Sequence, residues 1–220
     1  MSGKLVVVGT PIGNLSDFSP RGREALEAAD FIAAEDTRVT RKILSHFGVK
    51  KPMISYFEHN KYERGNLICG RIEAGETCAL VTDAGMPAIS DPGELLVAQC
   101  AARGLPVVVV PGPSAVISAL AISGLPCGRF TFEGFLSVSK KSRREHLEGL
   151  RGERRTMVFY EAPHKLAATL SDMLEAWGDR RVALARELTK LHEEVVRTTL
   201  SEAADRYAGE PAKGEFVLVI

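Results

Sequence analysis

Three short apolar runs in the sequence each end in a turn rich in glycine, proline and small residues. The longest turn follows residues 79–82 and extends to Gly93, and the other two follow residues 5–8 and 107–110. In an open α/β sheet, ligands lie outside the carboxyl ends of the strands, where turns expose backbone groups. Tight strand-to-helix turns are the alternative for any one of them. The three together predict a single ligand-binding crevice.

The residue types in these turns suit a flat, polar ligand. Glycine and alanine let backbone N–H and C=O groups approach a ligand closely. Asp83, at a strand tip, could accept hydrogen bonds from ribose hydroxyls or face a cation, and Ser114 begins a helix whose free N–H groups suit an anion. The sequence lacks the glycine patterns of dinucleotide and triphosphate sites, and it lacks a zinc-protease motif and a nucleophile elbow. At this point the kind of ligand stays open.

Three further polar clusters also follow apolar runs, at residues 35–38, 161–165 and 186–194. The first, Glu-Asp-Thr-Arg, is as compatible with a helix cap as with a functional site. In the last, seven of nine residues are polar or charged, which is unusual for a simple connection between elements. These clusters are candidates for charge chemistry near the crevice.

The elements that must position these groups alternate along the first half. Strands are predicted at 5–8, 31–34, 79–82 and 107–110, with helices at 20–29, 38–47, 66–74, 92–103 and 114–124. Ser19 and Thr37 are the predicted N-caps of the first two helices, and Gly48 is the C-cap of the second. Strands so rich in Val, Leu and Ile, separated by helices, indicate an α/β fold with a mostly parallel sheet covered on both faces.

The second half has a mixed pattern. Strands are predicted at 130–135, 156–160, 181–185, 194–200 and 215–220, and helices at 141–150 and 163–177, with a short helix capped by Ser201 before the last strand. Only a short connection separates the strands at 181–185 and 194–200, which predicts antiparallel pairing. The predicted division is an N-terminal α/β domain at 1–113, a connecting helix and linker at 114–127 and a C-terminal mixed α/β domain at 128–220.

Composition narrows the function further. Basic and acidic residues balance at 28 each, so no overall field attracts a polyanion. The window 140–155 differs, because seven basic residues face three acidic ones there; a solvated helix face and an RNA surface are its two interpretations. No apolar run approaches ~18 residues and no signal peptide is evident, which predicts a soluble, cytoplasmic protein without a membrane partner.

The cysteines do not follow a metal or disulfide pattern. Cys69, Cys78, Cys100 and Cys127 are widely spaced among apolar or small neighbours. We therefore expect four buried free thiols in a reducing cytosol, and no metal site.

Eight motifs, taken together and in order, resemble the tetrapyrrole methylase family, in the branch that modifies ribosomal RNA of the small subunit. They are GTPIGNL (9–15), EDTR (35–38), TDAGMPAISDPG (82–93), PGPSA (111–115), FEGFL (132–136), FYEAPH (159–164), RELTKLHEE (186–194) and KGEFVL (213–218). The resemblance covers essentially the whole chain. It departs from the family pattern after Leu136, where Ser137 stands in place of a proline.

The resemblance implies S-adenosylmethionine as methyl donor and 2′-O-methylation of a cytidine ribose in the decoding region of 16S ribosomal RNA. It also implies a small ribosomal subunit or its 16S rRNA as partner, a homodimer, and a donor folded up in the cleft between two domains. Carried over to matching positions, the predicted donor pocket consists of Pro11, Asp83, Gly85, Ala88, Ile89, Ser114, Ala115, Tyr160 and Ala185.

Methyl transfer to a ribose hydroxyl requires alignment and removal of a proton. Candidates for a base or a nearby cation are Lys190, Glu187, Glu35 and Asp36. Candidates for RNA contact are Arg38, Lys140, Lys141, Arg143 and Arg144. Two alternatives remain: a methyltransferase acting on a porphyrin-like precursor, and a non-catalytic RNA-binding assembly factor that retains the fold. The basic window and the motif after residue 186 argue against the porphyrin-like acceptor.

Overall fold

The structure, a computed structural model, describes residues 3–209 and 212–220. The chain divides into two compact units, Met1–Ser114 and Ala115–Ile220. The helix after Ser114, which the sequence prediction assigned to a separate connection, belongs to the second unit. Both units are α/β, as predicted.

The N-terminal unit contains a five-stranded parallel sheet in the order β3-β2-β4-β1-β5. Its strands are β1 (Lys4–Val8), β2 (Phe31–Ala34), β3 (Met53–Ser55), β4 (Thr77–Val81) and β5 (Val107–Val110). Its helices are α1 (Pro20–Ala28), α2 (Thr37–His46), α3 (Lys61–Glu73) and α4 (Gly93–Ala102), and a short 3-10 turn spans Leu15–Asp17.

Both faces of this sheet are covered, which confirms the prediction. Successive residues of a strand point to opposite faces. Val6 and Val8 therefore pack with Leu26 of α1 and with α2, whereas Leu5 and Val7 pack with Ile68 of α3 and with α4. Burial on both sides explains why these strands read as continuous apolar runs.

The start of α2 differs from the prediction. Asp36, not Thr37, is the N-cap, because its carboxylate accepts the Arg38 backbone N–H at 2.7 Å. Ser19 caps α1 as predicted, and Gly48 adopts φ +70° after α2. Strand β3 was missed, since its three residues lack the apolar run that marks the other strands.

The C-terminal unit contains a mixed five-stranded sheet in the order β6-β7-β10-β8-β9. Its strands are β6 (Phe130–Phe135), β7 (Thr156–Glu161), β8 (Arg181–Arg186), β9 (Glu194–Thr199) and β10 (Phe216–Val219). Its helices are α5 (Ala115–Ile122), α6 (Lys140–Gly149), α7 (Leu166–Trp177) and α8 (Leu200–Tyr207). The predicted antiparallel pairing of β8 with β9 is confirmed.

One face of the mixed sheet packs against α6, α7 and α8 through residues such as Phe159, Leu184 and Leu218. The other face carries Tyr160, Ala185 and Val217, and α5 packs against β7 and β10.

Two smaller predictions in this unit are wrong. Thr199 rather than Ser201 caps α8, because the Thr199 hydroxyl accepts the Glu202 backbone N–H. Cys127 is exposed, since it lies in the Gly- and Pro-rich segment before β6, whereas Cys69, Cys78 and Cys100 are buried. None of the four forms a disulfide. Among the described residues, no helix is both long and apolar enough to cross a membrane.

A buried ion pair joins α6 to α7. Arg143 Nε lies 2.7 Å from Asp172 Oδ2, and both side chains are about 95% buried, with 6% and 4% exposed. Arg144 Nε donates to the other oxygen, Asp172 Oδ1, at 2.8 Å. Burial opposes ionisation of Asp172, but the two guanidinium groups outweigh it and lower its pKa.

Removing the charge of Asp172 should destabilise the protein. Asp172→Asn leaves the Arg143 guanidinium buried without a counter-charge, so we expect the free energy of unfolding in urea to fall by about 3 kcal/mol. As a control, Glu175→Gln removes an exposed partner of Arg144 and should cost less than about 1 kcal/mol. Equal effects of the two substitutions would contradict a structural role for the buried pair.

Candidate functional site

The three small-residue turns meet at one edge of the parallel sheet. Because β1 lies between β4 and β5, the turns that follow these strands are neighbours at their carboxyl ends. Gly9 and Gly112 are so close that a Cβ added to Gly9 would lie 2.7 Å from Gly112 Cα. No residue other than glycine fits at either position without moving backbone.

Thr10 joins the turn after β1 to the turn after β4. Its N–H donates to Gly85 O at 2.9 Å, and Gly85 N–H donates back to Thr10 O at 3.2 Å. Its hydroxyl contacts Thr82 O at 3.2 Å. Gly85 has φ +87°, a conformation that favours glycine.

Asp91 holds the long turn in an unusual conformation. Ala88 and Ser90 have φ of +70° and +64°, which is strained for residues with a side chain. Asp91 Oδ1 accepts the N–H groups of Ala88 at 3.0 Å and Gly93 at 2.7 Å, and burial raises its pKa. Tyr56 supports the same turn by donating to Pro92 O at 3.1 Å. The predicted site residues did not include Thr10 or Asp91, although both lie inside the quoted motifs, and Asp91 was predicted only as a helix cap.

Two carboxylates connect the end of β2 to the end of β4. Asp83 Oδ1 accepts the Asp36 N–H at 3.0 Å, and Glu35 Oε2 accepts the Thr82 hydroxyl at 2.7 Å. Partial burial raises the pKa of Asp83. Asp36 instead pairs with Arg38, whose hydrogen bonds lower the Asp36 pKa to about 2. These three carboxylates therefore lie at one end of the sheet. The Asp36 carboxylate is already used as the N-cap of α2.

The remaining predicted donor residues of the N-terminal unit lie on the same turns. Pro11 is buried beside Thr10, whereas Ile89 is 48% exposed at the tip of the long turn. Ser114 is the last residue of the unit. Ala115 is the first helical residue of α5.

In the C-terminal unit, Tyr160 and Ala185 lie in one row across the sheet. Each is the register partner of Val217, which lies on β10 between them, so their side chains share a face. The Tyr160 ring packs against Phe132 and Phe135 with centroids 5.0 and 5.3 Å away. Burial raises the Tyr160 pKa, which keeps its hydroxyl neutral.

The connection between β8 and β9 is a tight ionic loop. Lys190 Nζ lies 2.9 Å from Glu187 Oε1 and 2.8 Å from Glu215 Oε2, and Glu187 also accepts the Glu215 N–H at 2.9 Å. Glu187 and Thr189 adopt positive φ, 50° and 66°. Hydrogen bonding to Lys190 lowers the pKa of Glu187. Burial opposes the charge of Lys190, but its two carboxylate partners raise its pKa.

The predicted RNA-contact residues are not equivalent. Arg143 is 5% exposed and bound to Asp172, so the expectation that it contacts RNA is wrong for this structure. Arg144 also uses its guanidinium on Asp172 and on Glu175. Lys140 and Lys141 are exposed on α6, and the Arg38 side chain is 85% exposed while paired with Asp36.

The strand-end turns present little side chain at the carboxyl end of the parallel sheet. Gly9, Gly85 and Gly112 keep side chains away from this end of the sheet, so the turns pack closely, and the N–H groups of Gly9 and Gly85 donate to Val110 O and Thr10 O. Asp83 adds a partly buried carboxylate at the same end. Among the described residues, no group of three His, Cys, Asp or Glu side chains is arranged to hold a metal ion.

A parallel sheet with a glycine-lined carboxyl edge, followed by a mixed α/β unit, defines a class of two-unit α/β proteins whose strand-end turns form the binding surface. Residues 4–204 match the family model described as Tetrapyrrole (Corrin/Porphyrin) Methylases. The chain belongs to this methylase family, which confirms the resemblance of its motifs.

Relatives named "Ribosomal RNA small subunit methyltransferase I" match nearly the whole chain. The Synechocystis sp. protein is 49% identical over 99% of this chain and 78% of its own length. The Thermotoga maritima protein is 47% identical over 99% of this chain and 98% of its own.

Solved structures share the fold at low identity. Diphthine synthase has a TM-score of 0.73 at 16% identity, over 99% of this chain and 89% of that chain. Uroporphyrin-III C-methyl transferase from Thermus thermophilus, complexed with S-adenyl homocysteine, has a TM-score of 0.69 at 19% identity, over 99% and 97%.

The protein is therefore a methyltransferase, and its cofactor is S-adenosylmethionine. When bound, this cofactor supplies a methyl group on a sulfonium centre.

The contact between Gly9 and Gly112 gives a testable expectation. In Gly112→Ala the new Cβ would meet backbone 2.8 Å away, so the free energy of unfolding should fall by about 1–3 kcal/mol. Titration with S-adenosylhomocysteine should show weaker binding.

The matched control is Gly70→Ala, in the middle of α3, where a Cβ meets nothing within 4 Å. It should stabilise the protein by about 0.5–1 kcal/mol, because alanine favours a helix. Unchanged stability and ligand affinity in Gly112→Ala would show that the strand ends tolerate separation.

Proposed function

We propose that the protein transfers the methyl group of S-adenosylmethionine to the ribose 2′-oxygen of a cytidine in the decoding region of 16S rRNA. The observation that carries the proposal is the match of 99% of the chain, at up to 49% identity, to relatives named as small-subunit rRNA methyltransferases. The motifs resemble the same branch. The donor site is assigned to the strand-end turns, with Asp83 accepting the ribose hydroxyls of the donor.

The acceptor chemistry limits which side chains can remove the proton. A ribose hydroxyl is a weak acid, so a base or a neighbouring cation is required. Asp36, with its pKa lowered to about 2 by Arg38, is a poor base. Glu187 is held by Lys190 in the same way, and Lys190 keeps its own proton. Glu35 forms no ion pair within the described part of the chain and accepts the Thr82 hydroxyl, and we retain it as the candidate base.

We assign Lys190 an electrostatic role. A fixed cation stabilises the negative charge that develops on the ribose oxygen and costs no reorganisation during the reaction. Glu187 and Glu215 hold the ammonium group in position, and the strained backbone of the loop orients it. Glu187 is in this account a positioning residue.

Substitution of Lys190 tests this role. Lys190→Met should lower the single-turnover rate by roughly 100-fold, whereas Lys190→Arg should retain more activity because it keeps a cation. Lys4→Met, at the exposed start of β1, is the matched control and should keep the wild-type rate. A wild-type single-turnover rate in Lys190→Met would rule out the electrostatic role.

The reaction itself is tested with small ribosomal subunits from a strain that lacks the activity. Purified protein and labelled donor are added, and nuclease digestion with mass spectrometry locates the label. We expect one methyl group on a cytidine ribose. Methylation of a base, or no label on RNA, would contradict the proposal.

Two further arms separate the alternatives. Methyl transfer to a porphyrin-type acceptor, with none to RNA, would identify a tetrapyrrole methyltransferase. Donor binding without transfer to any particle would identify a non-catalytic assembly factor. The proposed function also implies a cytoplasmic protein, and the family resemblance implies a homodimer, which sedimentation in solution would detect.

A further inference from the structure

An open groove of about 930 Å³ in the C-terminal unit is lined by arginine side chains. We call it the arginine groove, and it contains Arg129, Arg154, Arg155, Arg180 and Arg181. It has no part in the donor site or in the acceptor chemistry proposed above.

The sheet topology gathers these residues. β6 and β7 are parallel, and β7 and β8 are both antiparallel to β10, so β6, β7 and β8 begin at the same edge of the sheet. Arg129 precedes β6, Arg154 and Arg155 precede β7, and Arg181 begins β8. Residues far apart in sequence therefore converge on one surface.

Most of the positive charge in the groove is uncompensated. Its one lining side-chain carboxylate, Glu153, pairs with Arg155 at 2.6 Å, and hydrogen bonds from Arg155 lower the Glu153 pKa to about 2. Arg129, Arg154 and Arg181 are exposed and form no ion pair within residues 3–209 and 212–220. Since the chain has no net charge, this surface is a local concentration of cations.

The extent of the arginine groove indicates what kind of anion it could bind. A second hollow of about 330 Å³ adjoins it and shares Arg181. Its Arg197 donates to the carbonyl groups of Ile122 and Ser123, so Arg181 is the cation that the two hollows offer together. Guanidinium groups bind phosphate oxygens in a bidentate geometry. Several arginines in an extended, open surface fit a chain of phosphates better than a single enclosed anion.

We propose that the arginine groove binds the phosphate backbone of the RNA substrate. The inference rests on the proposed function, because it assumes an RNA acceptor. Tyr160 and Lys190 lie towards the opposite edge of the same sheet, and the six residues of β7 span roughly 17 Å. The groove should therefore increase the affinity for a large RNA or a ribosomal subunit. It should not change the affinity for an acceptor of nucleoside size, which is too small to reach it.

The basic helix α6 is the competing surface. Asp172 and Glu175 of α7 pair with Arg143 and Arg144. The exposed cations that remain on the first turn of α6 are Lys140 and Lys141, and Lys141 lies 3.9 Å from Glu145. The window 140–155 is thus split, since its last two arginines belong to the groove.

The test compares three double variants that each remove two positive charges. They are Arg129→Gln/Arg181→Gln in the groove, Lys140→Gln/Lys141→Gln on α6, and Arg21→Gln/Arg23→Gln on α1 as the control. Filter binding to small subunits and to 16S rRNA is measured over a range of salt concentrations, with donor affinity measured separately by calorimetry.

We expect the groove variant to bind RNA roughly tenfold more weakly, with the salt dependence of log K reduced by about 1.5, as for two lost phosphate contacts. Its donor affinity should equal that of the wild type. The α6 variant should lose less, and the control should stay within about twofold of wild type. RNA affinity unchanged in the groove variant, or a larger loss in the α6 variant, would overturn the inference.

The design separates this inference from the proposed function. If the wild type transfers no methyl group to RNA, the proposed function fails. If the wild type methylates subunits and the groove variant does so at the same rate, only the inference about the groove is contradicted. Should the double variant fail to fold, Arg154→Gln, at an exposed position outside any strand, provides the same measurement with about half the change in salt dependence.

Discussion

The contact between Gly9 and Gly112 is the constraint on which the rest of the N-terminal unit depends. It exists because β1 lies between β4 and β5 in a parallel sheet, so the turns that follow these three strands are neighbours in space although they are far apart in the sequence. A side chain at either glycine would separate the turns. Once the strand ends are this close, Thr10 can join the turn after β4, and Asp91 can hold the strained residues Ala88 and Ser90. Backbone groups rather than side chains then line this end of the sheet.

The C-terminal unit depends more on charge. Its charged side chains are of two kinds, those that form ion pairs with another side chain and those that are exposed without such a partner among the described residues. Asp172 forms ion pairs with two arginines of α6. In the loop after β8, Lys190 forms ion pairs with two carboxylates. A cation held in this way is available as a fixed charge for a reaction. The exposed arginines at the other edge of the sheet are instead suited to a mobile, solvated polyanion.

Much of the fold could be predicted from the sequence because the strands are clear apolar runs and several helix ends carry residues that favour caps. Doubly buried strands such as β1 and β2 are continuous apolar runs, and Ser19 and Gly48 mark helix ends by local chemistry. Prediction failed where two residues compete for one role, as Asp36 and Thr37 do at α2, or where a strand is short, as β3 is.

The candidate site was predictable only in part, for a physical reason. Turns that expose backbone have a composition that can be recognised, so the strand ends were found. Pairing between side chains distant in sequence has no such signal. The burial of Arg143 depends on Asp172, 29 residues away, and the arginine groove depends on the order of strands in the second sheet. A basic window in sequence is therefore a poor guide to a basic surface.

The central claim is that the turns after β1, β4 and β5 bind the methyl donor. Amide hydrogen exchange of the whole protein, with and without S-adenosylhomocysteine, measures this directly. We predict slower exchange in the turns that contain Gly85, Ala88 and Gly112, with unchanged exchange in α1. Binding of S-adenosylhomocysteine by calorimetry without any change in exchange at these turns would contradict the account.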